Sequence, residues 1–93
     1  MITAFVLIEA RPDAITALGT ALADVDGVRE AHSVAGSDVD LVATLAVSDH
    51  EAIATTVTER IAALDGVLST TTMIAFRRYS SAELDAAYGD FAT

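Results

Sequence analysis

The side chains in this sequence that could do chemistry are few, and most lie in two short stretches. The first is Gly36-Ser37-Asp38-Val39-Asp40. Its two aspartates invite comparison with a cation site, but no calcium-loop spacing accompanies them. Asp side chains in such a loop ordinarily bond neighbouring backbone amides. Gly36 alone does not make a phosphate loop. The second stretch is Ser69-Thr70-Thr71-Thr72. Threonine suits strands for steric reasons. On a strand, Thr70 and Thr72 share a face with Ile74 and Phe76, and hydroxyls set among apolar residues can hold a small polar ligand. His32 falls in a strand-like run and His50 in a helix start, and both read as surface groups. Arg77 and Arg78 are expected on opposite faces of a strand. There is no cysteine, hence no thiol nucleophile, disulfide or cysteine metal cluster. No pattern points to a catalytic centre, a metal site or a cofactor.

Composition narrows the field. Ninety-three residues make one small domain that is marginal alone and gains from a partner subunit. A hydrophobic content of 53% separates it from disordered acidic chains. Fourteen acidic residues face five arginines and no lysine, for a net charge of -9. Such a surface repels phosphate backbones, which argues against direct nucleic-acid binding. A salt-rich cell interior explains the acidity, as does GC-rich coding; the absence of lysine favours the former. No apolar run reaches membrane-spanning length, and Met1 leads straight into a strand pattern, so a cytoplasmic protein is expected.

The elements that must position these groups are written twice. With a shift of 39 residues, Ile2, Ala4, Val6 and Ile8 fall on Leu41, Ala43, Leu45 and Val47. Asp26-Gly27-Val28 falls on Asp65-Gly66-Val67. A repeat this regular reflects architecture. Each copy reads strand, helix, strand. Ile2–Glu9 and Leu41–Val47 are apolar on both faces and so central. The first helix starts at Pro12 and Asp13 and carries Ile15, Leu18, Leu22 and Val25 as one stripe. The second starts at Ser48, three residues before Glu51 in a capping box, and carries Ile53, Val57, Ile61 and Leu64. Asp-Gly stops both. Val28–Ala35 alternates Val28, Glu30, His32 and Val34 against Arg29, Ala31, Ser33 and Ala35, the mixed pattern of an edge strand. Val67–Phe76 is the fourth strand. Residues 1–79 then form the domain, and 80–93 a tail. In the tail, Ser80 and Glu83 make another capping box before Leu84, Ala87, Tyr88 and Phe91.

This order fits an α+β, ferredoxin-like βαββαβ sandwich with an antiparallel sheet ordered 4-1-3-2 and a short C-terminal helix. Both helices cover one sheet face. Phe5, Leu7, Val42, Ile74 and Phe76 are expected on the other. An apolar surface of that size predicts face-to-face pairing of two chains, a dimeric α/β barrel.

Val28-x-Glu30-x-x-x-Val34-x-Gly36, then Asp40 and Asp49, then Gly66-Val67-x-x-Thr70-x-Thr72, resembles the effector domain of Lrp/AsnC (feast/famine) transcription regulators. Ala4-Phe5-Val6-Leu7-Ile8 is also typical, and the resemblance spans about residues 2 to 78. It implies a RAM domain that dimerises sheet to sheet, often joins into rings, and binds free amino acids between dimers. Carried over position by position, the site would use Gly36, Asp40, Thr70 and Thr72, with Ser37 and Asp38 in the matching loop. Gly36 would admit a ligand carboxylate to backbone amides. Asp38 or Asp40 would pair with the ammonium, and the threonines would complete the hydrogen bonds. The chain starts at the first effector strand, which resembles stand-alone members lacking a helix-turn-helix; these would assemble with full-length regulators. One departure stands out. Family members commonly carry Gly-x-aromatic-Asp, whereas here the loop is one residue longer and Val39 precedes the aspartate. A ligand-free oligomerisation module and a small dimeric enzyme of monooxygenase or isomerase type are the rival expectations.

Overall fold

The computed structural model describes residues 1–81. Four strands, β1 (Ile2–Ala10), β2 (Val28–Ser33), β3 (Leu41–Val47) and β4 (Val67–Ile74), form one antiparallel sheet in the order β2-β3-β1-β4. This is the 4-1-3-2 order of the ferredoxin-like fold read from the other edge. A single 3₁₀ turn at Pro12–Ala14 leads into helix α1 (Ile15–Ala23). Helix α2 (His50–Ala54) continues without a break into a wider π-helical stretch, Thr55–Ile61. No helix among the described residues is long and apolar enough to cross a membrane.

The core follows from strand register. Ala4 lies opposite Leu45, Val6 opposite Ala43 and Ile8 opposite Leu41, so these six share the helix-side face, and all are buried. Leu18 and Leu22 of α1 and Ile53 and Ile61 of the second helix close over them. Each such aliphatic side chain contributes about 1.5–3 kcal/mol by leaving water. The repeat shows in the turns. Gly27 and Gly66, 39 positions apart, both have φ of +94°. The Gly27 carbonyl accepts from Ala46 N–H at 2.9 Å and the Gly66 carbonyl from Arg11 N–H at 2.8 Å, so each half's turn is held by the other half. Arg11 also pairs with Asp13 and Asp65. Asp65, then Asp13, raise the pKa of its guanidinium.

Four local expectations are corrected. Val28 pairs with Leu45 but Glu30 with Thr44, so Arg29 is an extra residue in a β-bulge. The bulge resets the alternation: Val28 packs with Ala31 against the core, while Glu30 and His32 go to the open face. On β4, Ile74 lies opposite Ala4 and thus on the helix side; Met73 and Thr71, opposite Phe5 and Leu7, take the open face instead. Phe76 lies beyond the strand and is 99% exposed. The N-cap of α2 is Asp49, whose Oδ1 accepts from Ala52 N–H at 2.8 Å, one residue later than the box at Ser48. Strand β4 also ends at Ile74, which frees Arg77 and Arg78 from strand alternation. The tail helix expected from Ser80 onward, with its capping box and apolar side, lies outside the described residues except for its first positions.

Candidate functional site

The β2–β3 loop is organised by Asp40. Its backbone N–H donates to Ile8 C=O at 2.9 Å, and its carbonyl accepts from Val34 N–H at 3.0 Å. Regular pairing of β1 with β3 ends at Ile8 opposite Leu41. The next rung is made by a side chain: Ala10 N–H donates to Asp40 Oδ2 at 2.8 Å. This bond satisfies an amide at the end of β1 and ties the loop to that central strand. Oδ1 has no hydrogen bond among the described residues. At the tip, Ser37 Oγ accepts from Val39 N–H at 3.1 Å, a local turn bond. Gly36 has φ of +113°, with no atom within 4 Å of where a Cβ would sit. Glycine is needed there for the backbone, not for space. Asp38 is exposed and unengaged among the described residues.

Thr70 and Thr72 lie on β4 opposite Ile8 and Val6. They therefore face the helix side at a sheet edge; Thr70 is half-buried and Thr72 exposed. Thr70 and Asp40 sit at the same end of the sheet with β1 between them, so two strand spacings, about 10 Å, separate their backbones. Thr72 is one level further along, and Gly36, Ser37 and Asp38 project beyond the sheet end. The single chain thus places these groups near one end of the sheet, on strands separated by β1, without closing a pocket around them.

The marked concavities lie elsewhere. One, of about 420 Å³, runs from Gly27 and Val47 to Asp49, Thr56 and Arg60 beside the start of α2. Another, of about 430 Å³, lies on the open face and is lined by Thr3, Phe5, Arg29, Ala75, Arg77 and Arg78. Sequence reasoning passed over this second one. Three arginines among five in a lysine-free chain were a visible signal; their convergence depends on the bulge at Arg29 and the early end of β4. His32 is exposed, with Nε2 3.6 Å from Glu30 Oε1. Among the described residues, no three His, Cys, Asp or Glu side chains gather as a metal site would require.

A model of the Lrp/AsnC ligand binding domain matches residues 3–84 of the chain. The chain belongs to this family. Among solved structures, this Lrp/AsnC domain is similar to TTHA0845 of Thermus thermophilus, with 46% identity, a TM-score of 0.80, and coverage of 86% of this chain and 99% of that one. It shares its fold with the transcriptional regulator NMB0573 of Neisseria meningitidis, solved as a complex with L-Met, at 15% identity and TM-score 0.74 over 86% of this chain and 54% of the regulator. It also shares its fold with the siroheme decarboxylase NirDL, at 20% identity and TM-score 0.72 over 99% of this chain and 33% of the enzyme. No curated protein gives a significant match.

Proposed function

We propose that this Lrp/AsnC domain is a non-enzymatic sensor and assembly module that binds a free amino acid or a related small molecule and modulates transcription by joining full-length regulators of its family. The observation that carries this reading is the Asp40-anchored loop. Asp40 holds the loop through one carboxylate oxygen and leaves the other for an ammonium. Gly36 turns the backbone so that amides are open to a carboxylate. Thr70 and Thr72 supply hydroxyls on β4, two strand spacings away. A half-site of this kind, open within one chain, is completed by a neighbouring dimer. Ligand and assembly are then linked, since whatever completes the site favours the assembly that contains it.

Dimerisation is the other part of the proposal. Phe5, Leu7, Val42 and Met73 share the open face with Thr3, Thr44 and Thr71. Two such faces packed with C2 symmetry would bury them. TTHA0845 is matched over 99% of its chain at 46% identity, which supports reading the two as domains of one kind. L-Met on NMB0573 supports an amino acid as the ligand class.

A ligand-free oligomerisation module is the second reading. It is favoured by Val39 in place of an aromatic and by Asp40 being already engaged. The Ser69 hydroxyl donates to Glu9 Oε2 at 3.1 Å, but both side chains are exposed on the strand surface, which gives an enzyme reading little support.

Light scattering during gel filtration in high salt, with and without each common amino acid, separates these readings. A shift of mass with one amino acid supports the sensor and names its ligand. A ligand-indifferent oligomer supports the assembly module, and a stable monomer removes the face-to-face dimer.

A further inference from the structure

The cleft beside the second helix lies on the side of the sheet that the helices cover, away from the open face. Its walls are the Gly27 turn, the end of β3 at Val47, and the helix from Asp49 to Arg60. Face-to-face pairing of two sheets leaves it uncovered. Val47 and Leu41 stand at opposite ends of β3, roughly 20 Å apart by strand rise, so the cleft is remote from the Asp40 loop as well.

The internal repeat sets this cleft beside a counterpart in the same molecule. A shift of 39 places Ala17 on Thr56 and Ala21 on Arg60. The groove that contains Ala17 and Ala21 measures about 260 Å³, and its charged groups, Arg11, Asp13 and Asp65, pair with one another. The cleft that contains Thr56 and Arg60 measures about 420 Å³, within the range of small-molecule sites. Helix α1 is regular, whereas the second helix widens to π geometry over Thr55–Ile61, the stretch that supplies Thr56 and Arg60. Such π turns recur at functional sites.

The charged groups of the larger cleft do not pair with one another. Arg60 Nη1 donates to the Asp26 carbonyl at 3.2 Å, which seats the guanidinium against the turn, and Arg60 has no ion pair among the described residues. Asp49 Oδ1 accepts from Ala52 N–H, and Oδ2 has no hydrogen bond among the described residues. Glu51 has no ion pair there either. Nine positions separate Glu51 from Arg60, about 13 Å at the rise of an α-helix. A helical side chain leans back toward the helix N-terminus, which shortens the gap between the cation and the two carboxylates.

We propose that this cleft binds a small zwitterion whose ammonium and carboxylate stand several bonds apart, the chemistry of an ω-amino acid or a short peptide. Arg60 takes the carboxylate, Asp49 and Glu51 take the ammonium, and Gly27, Val47 and Ala52 line the middle. Such a ligand bridges charges that the helix spacing keeps apart. An α-amino acid carries its two charges too close together to reach both ends. The site is separate from the Asp40 loop, and neither requires the other.

The test is a titration of the full chain with ε-aminocaproate and with alanylalanine, followed by amide chemical shifts. Glycine, caproate and hexylamine serve as the short and the singly charged controls. Light scattering on the same samples keeps binding apart from any change of assembly. The expected result is saturable shifts around Gly27, Thr55 and Arg60 with one or both long zwitterions, in the millimolar range, and the tighter of the two names the ligand type. All three controls should bind about tenfold more weakly or less. Arg60→Gln should weaken binding about tenfold or more, as loss of a charge-assisted bidentate bond does, and so should at least one of Asp49→Asn and Glu51→Gln. Glu59→Gln, next to Arg60 but outside the cleft, should leave it unchanged. All four positions are exposed, and asparagine keeps a capping oxygen at position 49, so each variant should keep the wild-type fold. Any control binding as tightly as the long zwitterions, affinity indifferent to Arg60→Gln or to both acidic variants, or no saturable shift at these residues would overturn the proposal.

Discussion

At the scale of single residues, Gly66 and Asp40 carry the most weight. A Cβ on Gly66 would stand 2.5 Å from Ala14 Cβ, and the residue also needs φ of +94°. Gly66→Ala should cost about 2–5 kcal/mol, the sum of backbone strain and overpacking, read from urea unfolding. Gly36→Ala, with open space around it, should cost only the strain, about 1–3 kcal/mol. Asp40 distinguishes a structural from a binding role. Asp40→Ala leaves Ala10 N–H without its acceptor and should cost about 1–3 kcal/mol. Asp40→Asn keeps an oxygen in place and should fold nearly as stably, while losing the charge that would pair with a ligand ammonium. Equal losses of stability in both variants would mean that charge, not the bond to Ala10, holds the loop.

At the scale of elements, the two central strands carry the domain. Leu45 of β3 is fully buried between Ala4 and Val28. Leu45→Ala should cost about 2–5 kcal/mol by thermal or denaturant melts, and a near-neutral result would contradict a central β3. The second helix widens at Thr55–Ile61, where buried Thr56 donates to the Ala52 carbonyl at 2.8 Å. A hydroxyl that bonds back to its own helix loosens the regular ladder, which fits a π turn at this point. That widening brings Thr56 against the Gly27 turn: a Cβ there would lie 3.2 Å from its Oγ1. The helix and the turn of the opposite half are thereby fitted to one another.

At the scale of the whole molecule, charge and the open face decide behaviour. A net charge of -9 on a small chain is self-repulsive, and salt screens it over a Debye length of about 8 Å at physiological strength. The melting temperature should rise steadily as KCl is raised towards molar concentrations; a flat or falling curve would mean that the acidity is not a salt adaptation. Val42 is half-buried beside Leu7 at the middle of the open face. Val42→Glu should convert the proposed dimer to a monomer on light scattering with an unchanged circular dichroism spectrum. A dimer that survives this change would use another surface.

The βαββαβ order, the Asp-Gly turns, the apolar stripes of both helices and the central places of β1 and β3 were legible in the amino-acid sequence. These depend on residue types within a few positions of one another and on a repeat of 39. So was the candidate loop, through Gly36 and Asp40. What the tertiary structure alone decided is how faces and edges meet. One inserted residue at Arg29 resets a strand's alternation, and no local pattern marks it. The pairing of β4 with β1 set which of Ile74 and Met73 faces the helices, because register is fixed by partners far away in the chain. The bond from Ala10 to Asp40 spans thirty positions and gave a predicted ligand group a structural duty. Arg29 and Arg77, 48 residues apart in the chain, come to line one concavity for the same reason, since the sheet order sets which residues lie over the same strands.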